Sequence, residues 1–304
     1  MAADGQAPMP AEPYRSVPGV ASKGSAGSGQ APVPGAEPPR GGPLGDCPPR
    51  TRGDAFAWLL IGAVGFVGGQ LVALVVVALV AALLGQLHQL SHLTSMAVPP
   101  GWVVVSELAG LWSGFVAAVV LASRLRGSGK VARDMGLAIR PWDLAVGPVV
   151  GVACQLLLVP LLYLPLEPLV PHLQQRLSGP ANHLTGGFPG ADLAVIGVLT
   201  VLVVPVVEEL LFRGLVLRAC LRVLGSWGRR LGPALAIVST GVLFGLAHAE
   251  MLELLGLAVF GMVLAWLAYR TRRLGPGILA HGAFNLVAVV AVANGGPAVL
   301  WLHH

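Results

Sequence analysis

Charged residues are scarce in this chain. Only 11% of its 304 residues are charged, whereas 55% are hydrophobic, and its mean hydropathy is +0.77. A soluble globular domain carries about 25% charged residues. Ten of the charged residues precede Ala55, so the remainder of the chain holds too few to cover a water-facing surface. This scarcity excludes an ordinary soluble domain and predicts that lipid covers much of the chain.

Cysteine is also rare, which limits the kinds of site to expect. Cys47, Cys154 and Cys220 are scattered and form no CxxC pair, so we expect neither a disulfide framework nor a cysteine-based metal site. The formal net charge is +5. In a membrane protein such an excess is typical of basic cytoplasmic loops rather than of nucleic-acid binding. We therefore expect no nucleic-acid partner.

Residues 1–53 lack any apolar periodicity. Eleven prolines and ten glycines fall within them, a composition typical of disorder. There is no apolar stretch of signal-peptide length. We interpret this segment as a disordered Pro/Gly/Ala-rich tail, with binding of a partner through PxxP-like pieces as the alternative.

Long apolar runs begin at Ala55. A helix of about 20 residues crosses the hydrocarbon core of a bilayer. Seven stretches meet this need, which predicts an all-α, polytopic transmembrane helix bundle. The predicted spans are residues 55–86, 102–123, 143–166, 193–217, 231–249, 251–269 and 276–294.

Basic residues alternate between the predicted loops. The segment before span 1 and the 2–3, 4–5 and 6–7 connections hold most of the lysines and arginines, whereas the 1–2 and 5–6 connections hold none. Lysine and arginine gather in cytoplasmic loops. The pattern predicts a cytoplasmic N-terminus, an external C-terminus and a multi-pass protein of the cell membrane.

A few ionisable residues fall inside the spans, away from helix ends. Such residues cost free energy in lipid and usually have partners and a function. They are Glu208, Glu209, Arg213, His248, His281 and, in the second span, Glu107. Glu107 is expected to be an interfacial acid or a structural hydrogen-bond partner, and it is left without a role in function.

Helical spacing separates the two adjacent glutamates. Glu208 and Glu209 lie about 100° apart on a helix, whereas Glu209 and Arg213 are spaced i,i+4 in the favourable order. We predict a structural ion pair between Glu209 and Arg213, which leaves Glu208 facing a cavity.

The remaining polar residues can activate water. His281 and Asn285 share one helix face, and Glu208 can move a proton between water and a leaving amine. His248 and His281 can either hold a metal or donate hydrogen bonds to an oxyanion. Asn285 suits either arrangement. The HExxH motif of soluble zinc proteases is absent.

Three motifs built on these residues resemble a known family. EExxxR starts at Glu208, FxxxH at Phe244 and HxxxN at His281, in this order on three apolar spans. They resemble the CPBP intramembrane proteases, which include CAAX prenyl proteases and bacteriocin-processing, Abi-type proteins. The resemblance covers residues 191–294. It divides the chain into the tail (1–53), accessory transmembrane helices with a basic cytoplasmic loop (54–142) and a protease core (143–298).

The resemblance implies an intramembrane endopeptidase. Glu208 would activate water, with His248, His281 and Asn285 as catalytic residues and with Glu209 and Arg213 in support. His248 and His281 would be the ligands if a divalent metal such as zinc is used, and a metal-independent mechanism stays open. The substrate would be a membrane-associated or lipidated protein or peptide. The oligomeric state is left undetermined.

Two other functions stay open at this point. One is a proteolytically silent immunity or binding protein on the same scaffold. The other is a transporter that relays protons, although no internal repeat supports it.

The peptidase interpretation must also explain how His248 reaches Glu208. His248 lies near the end of span 5, which places it at a different depth in the membrane and far from Glu208. A 5–6 junction sunk into the protein, with Glu250 and Glu253 lining a wet cavity, would bring them together.

Overall fold

A computed structural model describes residues 48–96, 99–177, 179 and 191–294. Within these ranges the chain is helical and has no strand. In chain order the helices are α1 (Arg52–Leu83), α2 (Leu90–Ser95), α3 (Gly101–Arg126), α4 (Val131–Met135), α5 (Asp143–Leu166), α6 (Leu173–Leu177), α7 (Asp192–Trp227), α8 (Leu231–Ala247), α9 (Leu254–Thr271) and α10 (Gly275–Ala293).

The predicted all-α membrane bundle is confirmed. Six helices are long and apolar enough to cross a membrane, namely α1, α3, α5, α7, α9 and α10, and α8 is a shorter apolar helix. The chain is therefore an integral, multi-pass membrane protein. The fourth predicted span is too short, because α7 continues ten residues beyond its predicted end at Leu217. The disordered tail, apart from residues 48–53, and the end of the predicted core lie outside the described residues.

Loop contacts show how the helices alternate. The backbone N–H of Leu274 donates to the carbonyl of Gly136 at 2.9 Å, and that of Gly275 donates to Ala138 at 3.1 Å. These two connections therefore lie at one end of the bundle, so an even number of crossings separates them. With α5, α7 and α9 as three of these crossings, the 17-residue helix α8 between α7 and α9 is the element that would supply the fourth.

Small residues bring α1 and α3 into close contact. Gly65 and Gly69 on α1 meet Gly114 on α3, and Gly110 on α3 meets Ala73 on α1. A Cβ on Gly114 would lie 2.3 Å from the carbonyl oxygen of Gly65, so the backbones touch directly. GxxxG spacing is typical of packed membrane helices, where van der Waals contact replaces the hydrophobic effect.

Helix α7 contains two π-helical segments. They span Leu199–Val203 and Leu210–Val216, and the α-helical turns Val204–Glu209 lie between them. Pro205 cannot donate a backbone hydrogen bond, which favours irregular pairing before it. π-Bulges are frequent at functional sites, and here they flank both glutamates.

Candidate active site

The Glu209–Arg213 ion pair lies at the centre of the bundle. Arg213 Nη1 is 2.6 Å from Glu209 Oε1, and both side chains are completely buried. Arg213 also donates to the carbonyl of Gly261 at 3.1 Å, and its guanidinium carbon lies 4.3 Å from the ring centre of Phe244. The predicted ion pair is thus present. It is buried beside the cavity that Glu208 lines, and it ties α7 to α8 and α9.

His281 lies between the two glutamates. Its Nε2 is 3.8 Å from Glu208 Oε2, and its Nδ1 is 3.4 Å from Glu209 Oε1. The rings of Phe244 and Phe260 each lie 5.7 Å from the imidazole, centre to centre. Two aromatic edges and two carboxylates therefore restrict the ring from different sides, which fixes its orientation toward Glu208.

His248 follows the last residue of α8. Its Nδ1 is 2.8 Å from the carbonyl oxygen of Phe244. Since a carbonyl only accepts, Nδ1 carries the proton, and Nε2 of the neutral ring is then an acceptor. The imidazole also lies 4.8 Å from the ring of Phe244, centre to centre. One phenyl ring therefore contacts both His248 and His281.

Asn285 is held by α7. Its Nδ2 donates to the carbonyl of Thr200 at 2.9 Å. The π-helical pairing explains why that carbonyl is available: Val204 N–H bonds Leu199 instead, and Pro205 has no N–H to offer. The second amide hydrogen of Asn285 is not used in this bond. The amide is thus positioned, with one donor left over.

A cavity of about 1070 Å³ brings these residues together. Glu208, His248, His281 and Asn285 all line it, although they come from α7, from the end of α8 and from α10. Most of the other lining residues are apolar, including Phe115, Phe260 and Phe284. The wall therefore combines a small polar cluster with a large surface suited to an apolar ligand.

Glu253 adds a further carboxylate to the same wall. It precedes α9 and lines the cavity, whereas the neighbouring Glu250 is exposed and lies outside the lining. Burial, and then the nearby charge of Glu250, raise the pKa of Glu253 to about 7. The Tyr163 hydroxyl fixes this junction by donating to Leu252 O at 2.7 Å and accepting from Gly256 N at 3.0 Å. Both junction glutamates were expected to line the cavity, but Glu253 does so and Glu250 does not.

The two ring nitrogens of His281 face different carboxylates. Nε2 lies toward Glu208 and Nδ1 toward Glu209, so Nε2 alone shares a side of the ring with Glu208. Among the described residues, no group of three or more His, Cys, Asp or Glu side chains is arranged to hold a metal ion. The interpretation as a metalloprotease with His248 and His281 as ligands therefore receives no support from the described residues.

Some residues of the cavity wall could not be found from the sequence. Tyr163 and Thr200 stand in apolar runs without a recognisable motif, and Thr200 contributes a backbone carbonyl rather than a side chain. Glu107 could be singled out as a buried acid, but its place in the cavity wall depends on how α3 packs. The sequence offers one hint of Glu107 and Tyr163: each is a polar residue within an apolar span.

Fold and cavity together define an α-helical membrane protein with a Glu/His/Asn cluster that lines one cavity. Residues 190–287 match the family described as Type II CAAX prenyl endopeptidase Rce1-like. The resemblance to CPBP intramembrane proteases is thereby confirmed over the region that holds all three motifs, and it supports an endopeptidase of the CAAX type in general. No curated protein and no solved structure matches the chain.

Proposed function

We propose that this protein is an intramembrane endopeptidase that cleaves a membrane-associated or lipidated protein or peptide. The observation that carries the proposal is the approach of Glu208 to His281 in a cavity that His248 and Asn285 also line. The family match over residues 190–287 supports the same reaction class. The apolar wall suits a lipid-linked or hydrophobic substrate segment.

Glu208 is proposed as the general base. It takes a proton from water while the water oxygen bonds the carbonyl carbon of the substrate, and the π electrons move onto the carbonyl oxygen. When the intermediate collapses, the carbon–nitrogen bond breaks and Glu208 returns the proton to the leaving nitrogen. The products are a carboxylic acid and an amine, so the carboxylate of Glu208 is regenerated.

The other residues orient the reaction. Nε2 of His248 accepts a hydrogen bond from the attacking water, since its Nδ1–H is held by Phe244. The unused amide hydrogen of Asn285 donates to the developing oxyanion. His281 positions Glu208, and the buried Glu209–Arg213 pair positions His281 from its other side.

Replacement of one carboxylate by its amide tests the proposal. In proteoliposomes with a fluorogenic farnesylated CAAX-type peptide, Glu208→Gln should lower kcat by about 10²–10⁴-fold, because the amide cannot accept the proton. Glu250→Gln is the matched control, since Glu250 is exposed and outside the cavity wall, and it should cleave at the wild-type rate. Equal cleavage by wild type and Glu208→Gln would show that Glu208 is not the base.

A further inference from the structure

A second pocket, of about 490 Å³, lies between two connections of the bundle. Its walls are formed by residues 132–140, between α3 and α5, and by residues 271–273, between α9 and α10. Four arginines line it: Arg133, Arg140, Arg272 and Arg273. It lies apart from the proposed active site and shares no lining residue with it.

Charge in this pocket is mostly uncompensated. Arg273 is paired with Asp143, with Nε 3.0 Å from Oδ2 and Nη2 2.5 Å from Oδ1. This pairing raises the pKa of the Arg273 guanidinium. Arg133, Arg140 and Arg272 are exposed and form no ion pair within the described part of the chain. Four arginines therefore face the single nearby carboxylate of Asp143, which hydrogen-bonds the side chain of Arg273 and also interacts electrostatically with Arg140.

The pocket is also held rigidly. The backbone bonds from Leu274 to Gly136 and from Gly275 to Ala138 join its two walls. Behind it, Nη2 of the buried Arg218 donates to the carbonyl of Arg272 at 3.3 Å. Arg272 itself adopts a left-handed conformation, with a φ of 61°. The backbone that carries these arginines is thus fixed, and their guanidinium groups suit the oxygens of a phosphate, which arginine can bind in a bidentate manner.

The position of the pocket identifies the source of that phosphate. Three candidate spans have an end here: α5 begins at Asp143, α9 ends at Thr271 and α10 begins at Gly275. Beside Arg140, the hydrophobic side chains of Ile139 and Trp142 are 55% and 73% exposed. Exposed tryptophan next to arginine at a span end is typical of the level of lipid headgroups. Lipid phosphates lie at this level, and basic pockets between transmembrane helices bind anionic headgroups.

We propose that the pocket of Arg133, Arg140, Arg272 and Arg273 binds the phosphate of an anionic phospholipid. The lipid would occupy the space between the α3–α5 and α9–α10 connections, with its acyl chains beside Ile139 and Trp142. The proposal is independent of the peptidase activity, because no residue of this pocket touches the Glu208 cavity.

Lipid binding to the full chain in detergent tests this proposal. Phosphatidylglycerol and phosphatidylcholine are titrated in parallel, and bound lipid is counted by native mass spectrometry. We expect phosphatidylglycerol to bind at least about tenfold more tightly than phosphatidylcholine, and Arg140→Gln/Arg272→Gln to lose about tenfold of that affinity. The matched control is Arg229→Gln/Arg230→Gln, because both arginines are exposed, belong to another connection and lie outside the pocket.

Two further arms keep the result interpretable. Arg133→Gln alone should weaken phosphatidylglycerol binding even if the double variant fails to fold, since its side chain is exposed. Inorganic phosphate is also titrated into the complex of wild type with phosphatidylglycerol. We expect the lipid to stay bound when the phosphate concentration equals the lipid concentration. Equal affinity for the two lipids, equal losses in the control variant, or displacement by equimolar inorganic phosphate would each overturn the lipid assignment.

Discussion

At the scale of single residues, Glu209 shows how a buried charge supports the candidate site without lining its cavity. Its carboxylate meets Arg213 at 2.6 Å and faces Nδ1 of His281 at 3.4 Å. A Cβ on Gly277 would come within 2.8 Å of its Oε2, so α10 can approach this carboxylate only because residue 277 is glycine. Removing one partner from a buried pair leaves an uncompensated charge, which makes this cluster intolerant of change.

Glu253 provides a pH-dependent prediction at the same scale. Its pKa is raised to about 7 in the folded protein by burial and by Glu250, from an ordinary value near 4.3 when unfolded. The folded state therefore binds the proton more tightly, and stability decreases as the pH rises between these two values. Because the side chain is partly exposed, we expect a loss of about 2 kcal/mol between pH 5 and pH 8.

The measurement compares melting temperatures in detergent across this pH range. Wild type should melt at progressively lower temperature than Glu253→Gln as the pH rises, whereas the two should converge near pH 4.5. Glu167→Gln serves as the control, since Glu167 is exposed and lies outside the cavity wall. Parallel melting curves for wild type and Glu253→Gln would contradict the raised pKa.

Local spacing predicts some of these residue contacts and not others. The ion pair between Glu209 and Arg213 follows from i,i+4 spacing within one helix. The bond from Asn285 to Thr200 joins residues 85 positions apart and depends on a carbonyl freed by π-helical pairing, for which the sequence gives no pattern beyond Pro205. The motifs thus identify which residues form the cluster, but the packing of α7 against α10 decides how they touch.

At the scale of helices, the contact between α1 and α3 is built on glycine. A Cβ on Gly69 would lie 2.7 Å from the backbone oxygen of Leu111, whereas one on the adjacent Gly68 would meet nothing within 4 Å. The two glycines therefore form a matched pair on one helix. One of them occupies the interface and the other faces open space.

We expect Gly69→Ala to destabilise the protein by about 1–3 kcal/mol through overpacking. Gly68→Ala should be neutral or stabilise it by up to about 1 kcal/mol, because alanine favours the helix. Melting temperatures in detergent, with intact cleavage of the peptide probe as a check on folding, distinguish them. Equal effects of the two substitutions would show that α1 and α3 are not held by this contact.

Helix boundaries followed from apolar run length except where a helix continues beyond its apolar run. The starts and ends of most spans agree within a few residues with the predicted ones, because run length directly reflects membrane thickness. Helix α7 differs since its last part, Leu217–Leu224, mixes arginines with buried leucines. That amphipathic pattern ends the apolar run but not the helix, whose Arg222 donates to Pro49 O at 2.8 Å.

At the scale of the whole molecule, one end of the bundle gathers the basic connections. Asp54 at the start of α1 pairs with Arg126 at the end of α3, with 3.7 Å between the charged atoms. Arg218 near the end of α7 reaches Arg272 beyond α9. The alternation of basic loops along the sequence thus corresponds to two ends of one bundle, and the positive-inside rule predicts that the basic end faces the cytoplasm.

Single-cysteine labelling tests this topology, starting from a background in which Cys47, Cys154 and Cys220 are replaced by serine. In intact cells, we expect a membrane-impermeant maleimide to label Gln89→Cys and Glu250→Cys but not Lys130→Cys or Arg229→Cys. All four positions are exposed, and permeabilised cells serve as the control in which each should react.

Arg229 and Glu250 lie before and after the 17-residue helix α8, so labelling of both from the same side would mean that α8 does not cross. In that case the contact of Gly136 with Leu274 would join loops on opposite faces of the membrane, which the alternating bundle forbids.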